Sequence, residues 1–105
     1  MRLRRGRGRF DELVRRQLDL FEADERALLD EAAGADAAWT HASADESEEL
    51  YGDYQLVADA VGEALYELRE TYAATLAERA ADEYRLAFDR AAHKRFGRLA
   101  GFLGG

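Results

Sequence analysis

The chain has 105 residues, no cysteine and no proline, and a formal net charge of −7. That length supports one domain with a thin core, and the absence of thiols excludes disulfides, thiolate metal sites and a cysteine nucleophile. With 48% hydrophobic and 35% charged residues the chain is too apolar to be disordered, and no apolar run approaches the roughly 20 residues that cross a bilayer.

The charge is sorted along the sequence. Arg2, Arg4, Arg5, Arg7 and Arg9 make residues 1–9 a basic arm. No apolar stretch follows it, so it does not read as a secretory signal, and the expected compartment is the cytoplasm. Lys94, Arg95 and Arg98 make the other end basic. All 22 acids lie between, against seven arginines, so residues 10–92 carry −15.

A first amphipathic helix is expected from about Phe10 to Ala33. Phe10, Leu13, Val14, Leu18, Leu20, Phe21, Leu28 and Leu29 share one half of its circumference at 100° per residue. Gln17, Asp24 and Glu25 interrupt that half. Asp11 and Glu12 suit the positive end of the helix dipole, and Gly34 reads as the residue that ends the helix. Residues 35–44 then read as a loop in which Trp39 closes the end of the core. Trp39-Thr40-His41 lacks the glycine of the Trp-x-Gly turn found in a class of small secreted two-helix proteins, so membership of that class is not assigned.

Ser43 with Glu46, and more weakly Asp45 with Glu48, form a second helix start. From there Leu50, Tyr54, Val57, Val61, Leu65, Leu68, Tyr72 and Leu76 make one tight apolar stripe. Between Gly62 and Gly97 thirty-four residues contain no glycine, and alanine, leucine, glutamate and arginine dominate them. Past Leu76 the stripe loses phase, and Tyr84, Phe88, Ala91 and Leu99 fall about 150° away. Because Ala77–Asp82 offers no turn residue, one continuous or kinked helix over 45–96 is favoured. A break near 77–82 with a third helix folding back is the alternative.

The expected fold is therefore all-α. A flexible arm (1–9) precedes a helical domain (10–99) and a glycine-rich tail (100–105). The domain is an antiparallel hairpin in which position i of the first helix faces about 78 − i of a longer second helix. Everything past Tyr72 overhangs the first helix. Leaving Leu76, Tyr84, Phe88, Phe96 and Leu99 in water would forfeit about 1.5–3 kcal/mol for each large side chain. A homodimer whose overhangs cross is the expected solution, with those five residues as its contacts. A monomeric three-helix bundle is the alternative.

No arrangement of residues supports catalysis. His41 and His93 lack serine partners for a triad, since Ser43 and Ser47 sit at a helix start. Gly6 and Gly8 follow no strand, so they do not form a phosphate loop. No cofactor is expected. The expected function is that of a non-enzymatic interaction or assembly protein that self-associates or binds a partner. A second reading is an anion or nucleic-acid binder using Arg2–Arg9, which the acidic body disfavours. A third is a carboxylate metal bundle using Asp24 and Glu25, although no Glu-x-x-His pair occurs. Glu63, Glu67 and Glu70 read as a solvated face. The Gly-Leu spacing of residues 94–105 is similar to the cargo-docking tails of encapsulated proteins, which implies a protein partner for the C-terminal tail.

Overall fold

In the computed structural model, residues 8–103 are described and contain no strand. Helices α1 (Asp11–Asp24), α2 (Arg26–Thr40), α3 (Ser47–Ala73) and α4 (Glu78–Phe96) lead into a 3-10 segment, Gly97–Phe102. Helix α2 packs along α3, and α1 packs along α4. The 3-10 segment lies against both α3 and α4.

The first helix differs from expectation at both its middle and its end. It does not stop at Gly34 but runs to Thr40, and the turn shrinks to residues 41–46. Gly34 has negative φ and no neighbour near its missing side chain, so it neither ends the helix nor admits a partner. A hitch at Glu25 (φ −106°, ψ 28°) separates α1 from α2. Hydrogen bonds from Glu25 N–H to Phe21 O and from Leu29 N–H to Glu25 O carry the ladder across it. The hitch falls where the helix changes partner, from α4 to α3.

The later turn also slides the hairpin register. Moving the centre of a turn by four or five residues shifts every facing pair by about twice that. Leu28 now lies across a cleft from Ala60, and Leu20 across another from Leu68. Asp24 accordingly borders a cleft with Ala64 rather than with Tyr54.

The long second helix is two helices. Thr75 N–H bonds Tyr72 O, Leu76 N–H bonds Ala73 O, and the Thr75 hydroxyl donates to Tyr72 O at 2.7 Å. These tight bonds close α3. Ala77 is extended (ψ 155°), and α4 starts after it without a side-chain cap. Helix propensity favours continuing here, but tertiary burial overrides it. Folding back encloses Tyr84 and Phe88 completely, and each is worth more than the few tenths of a kcal/mol that propensity offers per residue.

One core results. Val14, Leu18 and Phe21 meet Val61 and Leu65 from α3, and Tyr84, Phe88 and Ala92 from α4. Gly62 makes this possible on the third side. A Cβ there would overlap the Phe102 carbonyl, so only glycine lets the 3-10 segment lie this close to α3. The segment is entered through Gly97 at φ +58°, a left-handed conformation that suits glycine.

Candidate interaction surface

The residues expected to pair two copies lie elsewhere than on a free face. Tyr84 and Phe88 have no exposed surface, while Leu76, Phe96 and Leu99 are partly buried against the same core. The Tyr84 ring stands edge-on to Phe10 at 5.6 Å and close to Tyr72 at 4.9 Å. Its hydroxyl donates to Gln17 Oε1 at 2.8 Å, which accounts for a polar residue in the apolar half of α1. Burial pushes the Tyr84 phenol up to about 12, partly offset by the Gln17 hydrogen bond. The overhang therefore finds its cover within its own chain.

Two ion-pair clusters fasten α4. In the first, Arg69 is 4% exposed. Its guanidinium bonds Asp89 on α4 and Glu70, both at 2.8 Å. Burial disfavours its charge, but the hydrogen bonds to Asp89 and Glu70 outweigh that and raise its pKa. Glu70 also takes Arg85 of α4 at 2.9 Å. Its carboxyl falls below the usual range through Arg85 first; burial opposes the shift and Arg69 adds to it. Glu70 is thus not part of a solvated face. The second cluster joins Arg95 to Asp19 and Glu22 of α1 at 2.8 and 3.0 Å.

The turn end of the molecule is aromatic. Trp39 stacks on Tyr54 at 5.6 Å and tilts against Tyr51 at 4.6 Å. Arg98 lies over Trp39 and Tyr54 and pairs with Asp36 of α2. Phe102 meets Tyr54 edge-on. The C-terminal residues through Leu103 are therefore packed on their own chain rather than extended as a tail. At the start of α3, Ser43 N–H and hydroxyl both reach the Glu46 carboxylate. Only the glutamate half of the expected capping box forms, because the hydroxyl points to the carboxylate instead of a backbone N–H.

The basic arm is represented by Arg9, which pairs with Glu83 at 3.3 Å and stacks on Phe10. Arg2, Arg4, Arg5 and Arg7 lie outside the described residues. His93 Nδ1 approaches the backbone oxygen of Asp89, whose carboxylate is engaged by Arg69. Among the described residues, no three His, Asp or Glu side chains come together as a metal-ligand group. No helix among them is long and apolar enough to cross a membrane.

Among the described residues, a face between α1–α2 and α3 is left open. Helices α1 and α3 nowhere bring their Cα atoms within 8 Å, because α1 leans onto α4. The gap is a cleft of about 440 Å³ with Leu20, Phe21, Ala64 and Leu68 in its lining. A second cleft of about 360 Å³, between α2 and α3, exposes Leu28, Leu56 and Ala60. The two adjoin one helical turn apart, at Ala60 and Ala64. Leu20 is 65% exposed and Leu56 73%. Five carboxylates, Asp24, Glu25, Glu31, Asp53 and Glu67, line this pair of clefts, and no basic residue does.

The arginines are spent on the other sides. Among the described arginines only Arg79 and Arg90 lack a carboxylate partner. None of the five groove carboxylates has an ion pair or side-chain hydrogen bond with a described residue. No protein-family model matches the chain, and neither a curated protein nor a solved structure is found similar to it.

Proposed function

We propose that this is a non-enzymatic helical interaction protein and that the face between α1–α2 and α3 receives a protein partner. The observation that carries the reading is the exposure of Leu20 and Leu56 in adjoining clefts. Isolated exposed leucines are ordinary, as Leu86 on α4 illustrates. Two at the ends of one groove, with apolar side chains between them, make a contiguous patch of the kind used for contact. The lining of the clefts has no histidine and no serine, so it offers no nucleophile–base pair of the triad kind. Self-association through residues 76–99 loses its support, since its anchors Tyr84 and Phe88 are enclosed.

A displayed library of helical peptides with varied surface charge, selected on the full chain, tests this reading. Leu20→Glu/Leu56→Glu serves as the comparison protein after selection on the wild type alone, because both side chains are exposed and the variant should keep its helical circular dichroism. Enriched peptides should bind the wild type and not the double variant. Equal binding to both would place the contact elsewhere and refute the reading.

A further inference from the structure

We infer that the occupant of this groove is a single amphipathic helix of a partner protein, with leucine-like residues on one face and lysine or arginine along both flanks. The inference rests on the interaction reading above and gives the partner its chemistry. Three observations lead to it.

The first is shape. The lining of the two clefts runs from Asp53 to Thr71 on α3. At 1.5 Å per residue that is about 27 Å, or about five helical turns. The floor is open where Ala60 and Ala64 replace larger side chains, and leucines rise at either end of it. Two adjoining clefts along that length of α3 suit a helix laid between two others, which buries one stripe of its circumference. A small metabolite would need a deeper, more enclosed site.

The second is charge. Asp24, Glu25, Glu31, Asp53 and Glu67 surround the trough without a cation among its lining. An anionic rim raises the on-rate of a cationic partner and penalises an anionic one. Nucleic acid is excluded from this face for that reason. So is a second copy seated through the same face, because a two-fold contact would set these carboxylates against themselves.

The third is how the acids are distributed. Asp19, Glu22, Asp36, Glu70 and Asp89 are all neutralised by arginines within the chain. The groove acids have no such partner among the described residues. Helix α3 carries Arg69 as its one cation, and that cation points into the α3–α4 interface. Unpaired acids also lie outside the groove, Glu48, Glu49, Asp59 and Glu63 among them, but in the groove they flank two exposed leucines, where a basic helix satisfies both at once.

The test uses the full chain and three synthetic 18-residue helical peptides. The first has a leucine stripe flanked by lysines, and the second has the same stripe flanked by glutamates. The third has the composition of the first, rearranged so that no stripe forms. Binding is read by fluorescence anisotropy at two salt concentrations and mapped by amide shifts in 15N spectra.

The lysine peptide should bind most tightly, shift the amides around Leu20 and Leu56, and weaken as salt rises. Leu56→Glu should reduce its affinity about tenfold or more, and Glu31→Lys/Glu67→Lys should reduce it while leaving the circular dichroism unchanged. If the glutamate peptide binds the groove equally well, the basic partner is wrong although the interaction reading stands. If the rearranged peptide matches the first, only charge is being read and the helical partner is wrong. If neither striped peptide moves the Leu20 and Leu56 amides, the inference and the interaction reading fail together. A wild-type dimer in solution that Leu56→Glu dissociates would assign the groove to a second copy instead.

Discussion

Gly62 of α3 sits directly beneath the carbonyl of Phe102, so closely that a single added methyl group would overlap it. This approach fixes the 3-10 segment against the middle of α3. It also holds Phe102 on Tyr54 and Arg98 over Trp39.

Gly62→Ala separates two opposed effects. In an exposed helix interior the change would stabilise the protein by about 1 kcal/mol. Here it should destabilise it by about 1–3 kcal/mol, the range for overfilling a packed site. Urea denaturation of both proteins gives the sign. A gain in stability would mean that the segment does not lie on α3.

Tyr84 makes the protein sensitive to alkali. Its phenol titrates near 10 when exposed and at about 12 in the fold. A raised folded pKa gives stability that is complete below pH 10 and lost as pH rises from 10 towards 12. Tyr84→Phe should flatten that loss while costing about 1 kcal/mol at neutral pH for the Gln17 hydrogen bond. Thermal unfolding across pH 8 to about 11 measures both. An unchanged alkaline slope in the variant would show that the phenol is solvated.

Glu70 acts at the other extreme. Its folded pKa lies below the ordinary 4.5 because Arg85 and Arg69 hold its charge. The stability it supplies is present above 4.5 and disappears as pH falls through the folded value. Glu70→Gln should therefore be less stable than wild type at neutral pH, and the gap should narrow in acid. Melting temperatures that run parallel from pH 7 to about 3 would contradict this linkage.

Phe88→Asp distinguishes an interior role from a role between copies. A residue that joined two chains would leave helical monomers when charged. A residue wholly enclosed by its own chain should cost about 3–5 kcal/mol or more when its ring is lost and a carboxylate buried. Far-ultraviolet circular dichroism should show lost helix. Leu65→Ala, at a fully buried position, should cost about 2–5 kcal/mol by the same logic. Native helix content in Phe88→Asp would remove this placement of α4.

Much of the core was legible from periodicity. Val14, Leu18, Phe21, Val57, Val61 and Leu65 are all buried, as their spacing predicts. Their pairing was not legible, because it depended on Gly34 ending a helix that instead continues to Thr40. Glycine weakens a helix by only about 1 kcal/mol, and neighbouring packing outweighs that. The change of phase after Leu76 did signal two packing faces. The corner between them carries no turn residue, so its position at 74–77 is set by what α4 covers. Arg69 could have been found: it is the only cation in α3, and it follows Leu65 by four residues on the apolar side. The groove was hidden because Leu56 lies off the apolar stripe, and its neighbours depend on the direction in which α1 leans.

That lean has a consequence for synthesis. Helix α1 finds its partner in α4, with Phe10 and Gln17 meeting Tyr84. Helices α2 and α3 can join as soon as both have left the ribosome. The apolar side of α1 must wait until residues near Phe88 have emerged, so a segment far downstream decides when the nascent chain stops displaying it.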